Sequence, residues 1–225
     1  MADMRLTPAT RVLGAGSATS PVPIKGLKDG SIFTADWLLR MALEGRMYTV
    51  HAGTGTAPVT GAGVYVNTTP DLDMSVPAGS VVIPIKLVVN YETVGTSGIQ
   101  ECTAAVGVGG VITPTATEAV TITNHRLDLG NDSGVTAVST GTGATYMTSN
   151  VYEFFRNSPP MGITKTSESA TVTSIDPYRF VWSALESGDW PIMYNSGSIT
   201  RLNVFMGGQA PTGFITLTFV KPELL

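Results

Sequence analysis

The sequence predicts an all-β fold, a two-sheet antiparallel sandwich behind an N-terminal arm and one short helix, and three observations predict it. Beyond Arg46 the chain breaks into short runs rich in Val, Ile, Thr, Tyr and Phe, separated by clusters of Gly, Pro, Asn, Asp and Ser. Several runs alternate: in the last, Phe214, Thr216, Thr218 and Val220 point one way and Ile215, Leu217 and Phe219 the other. That pattern buries one face and leaves the other partly wet, as in two packed antiparallel sheets. No helical runs separate the strands, which argues against βαβ units and a parallel sheet.

Residues 1–30 read as an arm, because Pro8, Pro21, Pro23 and four glycines break every apolar run before it reaches element length. A short helix is expected within residues 31–45. Thr34 is a plausible N-cap, Asp36 lies in the first turn where it complements the dipole, and Gly45 stands where a left-handed terminator belongs. Between them Trp37, Leu38 and Met41 share one packing face at helical spacing.

Residues 46–225 then form one domain. Strands are expected near residues 46–52, 63–67, 80–93, 99–106, 118–127, 145–155, 171–183 with a break at Pro177, 199–206 and 213–220. The linkers 53–61, 94–98, 107–117 and 128–144 are long for hairpins. Long connections are what strands crossing between sheets require, so the sandwich is expected to be of jelly-roll type.

Composition narrows the function classes. Only 13% of the 225 residues are charged, about half the share of an ordinary soluble domain. With 43% hydrophobic residues and 25 glycines the chain is neither disordered nor a coiled coil. Its single cysteine, Cys102, cannot form an intrachain disulfide and reads as a small half-buried apolar side chain. The N-terminus lacks an apolar signal core, and the strongest later run, Val81 to Val89, is interrupted by Pro84 and Lys86; neither a secretory signal nor a membrane span is expected. Met1 to Arg46 carries six basic and four acidic residues, and the remainder seven and thirteen. A weakly basic end therefore precedes an acidic body, far short of the Lys/Arg density that packs nucleic acid.

The search for chemistry returns no catalytic set, no cofactor motif and no metal constellation. His51 and His125 each lie in an expected strand without a second ligand at usual spacing, which favours structural roles. No G-x-S-x-G elbow occurs. Asp71 and Asp73 in Pro70-Asp-Leu-Asp-Met74, and Asp128 with Asn131 and Asp132, offer oxygen ligands for calcium, but neither has EF-hand spacing and turn capping explains both. The glycine runs at 14–16, 53–55 and 107–110 open no helix after a strand and read as loops. The sequons at Asn67 and Asn131 carry little weight without a secretory signal. The aromatics Tyr152, Phe154 and Phe155, with Tyr178, Phe180 and Trp182, suit a sugar-stacking platform or a sandwich core, and alternation of the last three favours the core.

A family resemblance adds to this. The stretch Val76-Pro-Ala-Gly-Ser-Val-Val-Ile-Pro-Ile-Lys-Leu-Val-Val-Asn-Tyr-Glu-Thr93 resembles an early strand of single jelly-roll viral capsid proteins, and residues 211–225, running through Phe-Ile-Thr-Leu-Thr-Phe-Val220, are similar to their terminal strand. Arm, short helix, then eight or nine strands is also that family's order. The resemblance implies a virion structural protein whose copies tile an icosahedral shell or form its vertices. Its partners would be copies of itself and other virion proteins, with an internal membrane or the genome met weakly through the arm residues Arg5, Arg11, Lys25 and Lys28. An arm with so few basic residues departs from genome-condensing arms and fits a shell filled by other means. The alternative is a carbohydrate- or receptor-binding module of a phage fibre or spike, using the aromatic cluster or the loops at one end of the sandwich, with Trp182 and Trp190 as the residues whose loss would abolish glycan binding; an enzyme comes third.

Overall fold

The computed structural model describes residues 5–6, 22–23, 36–63, 69–93, 101–110, 120–139, 147, 149–158, 179–208 and 210–223. The chain divides into two compact units, Met1–Arg40 and Met41–Leu225. In the first, β1 (Arg5–Leu6) pairs antiparallel with β2 (Val22–Pro23), Arg5 opposite Pro23 and Leu6 opposite Val22. The arm residues Arg11, Lys25 and Lys28 lie outside the described residues, as does the expected N-cap Thr34.

Helix α1 spans Trp37–Leu43, shorter than expected, and Asp36 precedes its first turn instead of lying in it. Its end follows the sequence: Gly45 adopts φ +72°, its N–H donates to the Ala42 carbonyl at 3.0 Å, and the Arg46 N–H donates to the Met41 carbonyl at 2.8 Å. This double closure satisfies carbonyls the helix leaves open, and it needs a left-handed residue at Gly45. The packing face is narrower than the spacing predicts. Met41 is buried and Leu38 half-buried, but Trp37 stays 39% exposed, since a seven-residue helix has barely two turns to aim.

The second unit is a β-sandwich of β3 (Met47–Ala52), β4 (Val59–Thr60), β5 (Leu72–Ser75), β6 (Val81–Thr93), β7 (Cys102–Val108), β8 (Val120–Asn124), β9 (Thr136–Ser139), β10 (Ser149–Asn157), β11 (Arg179–Ser183), β12 (Met193–Tyr194), β13 (Thr200–Met206) and β14 (Thr212–Val220). One five-stranded sheet has the order β10-β7-β13-β5-β9; the seven-stranded sheet runs β11-β6-β14-β3-β8, with β12 on β6 and β4 on β14. Strand pairing is antiparallel throughout.

The connectivity is nested. β3 pairs with β14, β5 with β13, β6 with β11 and β7 with β10. Eight strands thus form one long folded-back ribbon, and rolling it up joins β14 to β6 and β13 to β7. That is the jelly roll, two interlocked Greek keys whose strands alternate between sheets. The strands β8 and β9 are inserted between β7 and β10, and each extends one sheet, β8 beside β3 and β9 beside β5.

Several elements depart from the sequence reading. β5 falls where Asp71 and Asp73 suggested a turn, β9 inside the 128–144 linker, and β4 inside the 53–61 linker. A second helix, α2 (Ala184–Ser187), interrupts the sheet edge and ends at Gly188 with φ 72°. It lies between β11, which pairs with β6 from Lys86 to Asn90, and β12, which pairs with Val81 and Val82. Pro84, which cannot donate a ladder hydrogen bond, sits opposite that gap and beside a register shift against β14. Of the expected strand at 63–67, Gly63 makes an isolated bridge to Gly207; residues 64–68, and Tyr178 with the rest of 159–178, lie outside the described residues.

The core fills the space between the sheets. From β14, Ile215, Leu217 and Phe219 face inward as the alternation predicts, while Phe214, Thr216 and Thr218 are half-buried. Tyr48 stacks on Phe219 with centroids 5.4 Å apart, and Phe154 of one sheet meets Trp182 of the other at 4.6 Å. Phe180 and Trp182 are both buried, so these aromatics are core and Trp182 is no sugar platform. Among the described residues no helix is long and apolar enough to cross a membrane.

Candidate functional site

The carboxylates that suggested a calcium loop are internal struts. Asp71 accepts the Ala62 N–H at 2.9 Å on Oδ1 and the Met206 N–H at 2.5 Å on Oδ2, tying the approach to β5 onto β13. Asp73 stands on β5 opposite Asn203 of β13. Its Oδ2 accepts from Arg201 Nη1 and its Oδ1 from Asn203 Nδ2, both at 2.7 Å. Both partners and Asp73 itself are buried. Burial pushes the Asp73 carboxyl up to about 6, while the charge of Arg201 and the donated hydrogen bonds pull it back down. A cation would have to displace these donors from all four oxygens. At the second cluster, Arg126 grips both oxygens of Asp128 at 2.9 Å, Tyr48 donates to Asp132 at 2.5 Å, and Asn131 accepts from the Ser133 hydroxyl at 2.7 Å. Of the three, Asn131 caps its turn as the spacing suggested, accepting the Ser133 N–H as well, whereas Asp128 is held by an arginine side chain and Asp132 by a tyrosine 84 positions away. Among the described residues no three His, Cys, Asp or Glu side chains converge on a common point.

The same polar row gives the five-stranded sheet an unusual outer face. Thr103, Ala105, Arg201, Asn203, Phe205 and Asp73 lie on the face away from the inter-sheet core, yet all are buried. A sandwich strand that alternates inward apolar and outward polar residues normally leaves the second set wet. Here Arg201 Nε and Asn203 Oδ1 are buried without a hydrogen-bond partner.

Cys102 is fully buried in β7, deeper than the half-buried position expected, and burial pushes its thiol up. His51 is exposed on β3; His125 is exposed one residue beyond β8, outside the strand it was expected to join. His125 Nε2 lies 2.6 Å from Thr49 Oγ1, and desolvation with the charge of His51 holds its imidazole below the ordinary range. Around them the outer face of the seven-stranded sheet carries Thr121, Thr123, Thr216 and Thr218, a neutral hydroxyl surface on which Thr216 Oγ1 lies 3.4 Å from His51 Nδ1 and Thr218 Oγ1 lies 3.1 Å from Thr49 Oγ1.

The exposed apolar side chains concentrate elsewhere. Along the edge of the seven-stranded sheet Val181 of β11, Leu185 of α2, then Trp190, Ile192 and Tyr194 are all exposed. The hydroxyl of Tyr152, on the neighbouring edge strand β10, donates to Asp189, which fastens the two edges together and holds that phenol proton in place. Sequence reasoning singled out Trp190 and Tyr152 but missed Ile192, Tyr194 and Leu185. The signal for Ile192 and Tyr194 was the alternation from Trp190 to Asn195, in which Pro191, Met193 and Asn195 are buried; Leu185, in the four-residue α2, had none. Comparison with known proteins finds no protein family, no curated protein and no solved structure that matches the chain.

Proposed function

We propose that the protein is a structural subunit that assembles with copies of itself, as a single jelly-roll capsid protein of a virion shell or its vertices. The observation that carries this reading is the nested β3–β14, β5–β13, β6–β11, β7–β10 pairing, the connectivity expected of that family. A fold by itself hosts many activities; two further features support this one. Few residues are charged, and the cores of protein interfaces are depleted in charge. The carboxylates best placed for metal chemistry are consumed by internal partners. In this reading the subunit works in the virion among copies of itself and other virion proteins, and its arm meets an internal membrane or the genome weakly. Concentrated purified protein should form rings or shells by electron microscopy and fast-sedimenting species. A stable monomer at high concentration overturns the reading.

One observation favours a second reading, a carbohydrate- or receptor-binding module of a fibre or spike. Tyr152 and Trp190 are exposed beside the Asp189 carboxylate, and aromatic faces with a nearby polar group suit sugar stacking. Binding on a glycan array, lost in Trp190→Ala, would select it.

A further inference from the structure

A sheet meets water at its edge strands, and proteins blunt those edges with charge, proline, bulges or brevity, because open N–H and C=O groups invite another chain to pair. The edges of this sandwich are β10 and β9 in one sheet and β11 and β8 in the other. β10 carries Glu153 and Arg156 and meets β7 with two register shifts; β9 has four residues; β11 opens at Arg179 and gives way to α2. β8 has none of these devices. Its residues Val-Thr-Ile-Thr-Asn hold no charge and no proline, and they follow β3 from Tyr48 to Ala52 without a register shift.

One bond fixes the direction of its free groups. His125 donates its N–H to the Met47 carbonyl at 2.9 Å. In the alternating antiparallel ladder Thr123 and Thr121 therefore also bond to β3, and Val120, Ile122 and Asn124 turn their N–H and C=O away from it. Among the described residues none of these outward main-chain groups has a partner.

The strand that fits this edge is β8 itself. Thr121 and Thr123 lie exposed on the outer face, while Val120 and Ile122 are half-buried against the core. An antiparallel copy related by a two-fold axis at Ile122 sets Thr121 opposite Thr123 on the outer face, and on the inner face Ile122 opposite Ile122 and Val120 opposite Asn124. Donors then face acceptors in about six main-chain hydrogen bonds. Threonine pairs and β-branched apolar pairs are favourable cross-strand neighbours. Charge agrees: the chain carries a net charge of -4, yet this strand brings no ionised side chain against its copy. Five paired residues a side fall well short of the ~800 Å² that one partner gives to a standard interface, so the pair is weak alone and strengthened by repetition in an assembly.

We propose that two copies of this chain join edge to edge through β8, antiparallel about a two-fold axis at Ile122, making one continuous sheet; the inference rests on the self-assembly reading and names one of its contacts. The test is sedimentation velocity of the full chain up to the highest soluble concentration, with circular dichroism and melting curves to show that each variant is folded. Thr121→Lys with Thr123→Lys, and Thr121→Glu with Thr123→Glu, each set like charges opposite one another and should raise the dissociation constant about three- to tenfold. An equimolar mixture of the two should regain association, and so should Thr121→Lys with Thr123→Glu, which leaves the net charge unchanged. In wild type, amide exchange at Val120 and Ile122 should slow as concentration rises, since those N–H groups gain partners only in the pair. Wild type that assembles while both like-charged variants assemble equally well, or without slower exchange at Ile122, overturns this contact and leaves the assembly reading standing. Like-charged variants whose mixture recovers nothing overturn the two-fold pairing and leave the edge to a foreign strand. Wild type that stays monomeric throughout overturns both.

Discussion

Replacing Arg201 with Met tests whether the buried polar row between β5 and β13 is a closed electrostatic unit. Arg201 Nη1 donates to Asp73 Oδ2 at 2.7 Å with both side chains almost fully excluded from water. Removing the guanidinium leaves a buried carboxylate with Asn203 as its remaining side-chain donor. Breaking such a pair costs about 3–5 kcal/mol, mostly the price of an uncompensated charge. For a domain of this size that is roughly 6–20 °C in Tm. Adding Asp73→Asn removes the stranded charge at nearly constant volume, so the double variant should recover about 2 kcal/mol or more relative to Arg201→Met alone.

The pH dependence follows from the same geometry. The Asp73 carboxyl is raised to about 6 from an ordinary 3.8, so its favourable contribution is present below 3.8 and is lost as pH rises through 6. Arg201→Met removes a lowering influence and pushes the carboxyl higher still. The deficit of Arg201→Met against wild type should therefore be large at pH 7.5 and shrink at pH 5, where the proton neutralises Asp73. Urea or thermal unfolding of wild type, both single variants and the double variant at the two pH values measures all of this. A loss under about 1 kcal/mol in Arg201→Met, or a double variant no more stable than that single at pH 7.5, would refute the closed-unit account.

Three other outcomes follow from named contacts. Leu217→Ala, at a fully buried position in the centre of the seven-stranded sheet, should destabilise by about 2–5 kcal/mol in denaturant titration. Cys102 should resist an aromatic disulfide reagent in native protein and react fully in denaturant, because its thiol is buried and held protonated; fast native labelling would contradict the placement of β7. Gly45→Ala should lower stability by about 1–2 kcal/mol, since φ is +72° and an added Cβ runs into the Leu129 side chain, whereas Gly55→Ala, with open space around it, should change little in the same melts.

The long strands were legible because their physics is local. The apolar run in β6 and the alternation in β13 and β14 need only a reading of period two. Gly45 was legible for a similar reason, since a left-handed terminator is a backbone requirement. β5 was not: Pro70 and two aspartates imitate a turn, and the countersignal, Leu72 and Met74 alternating with Asp71 and Asp73, spans only four residues. What hid the polar row is longer in range. Asp73 and Arg201 are 128 positions apart, and nothing near either one announces that its outward face is buried. α2 escaped because four residues are too few for a helical stripe. The apolar edge was hidden by two-residue β12, whose outward Tyr194 gains meaning only once Ile192 and Trp190 are seen to continue it.

The place of β14 has a consequence for how the protein is made. β3 and β6 are translated early, yet β14 lies between them and pairs with both. Until residues 212–220 leave the ribosome, the inner faces that hold Val50 and Leu87 have no central strand, and the sheet exists as two half-sheets with raw edges. The sandwich therefore closes only once residues 212–220 have emerged, by a loop closure of more than a hundred residues that is entropically slow. During that interval the nascent chain displays its most apolar strand, β6, as an open edge. Expression yield should be limited by that exposed intermediate and should respond to holding chaperones or slower translation more strongly than to changes on the finished surface.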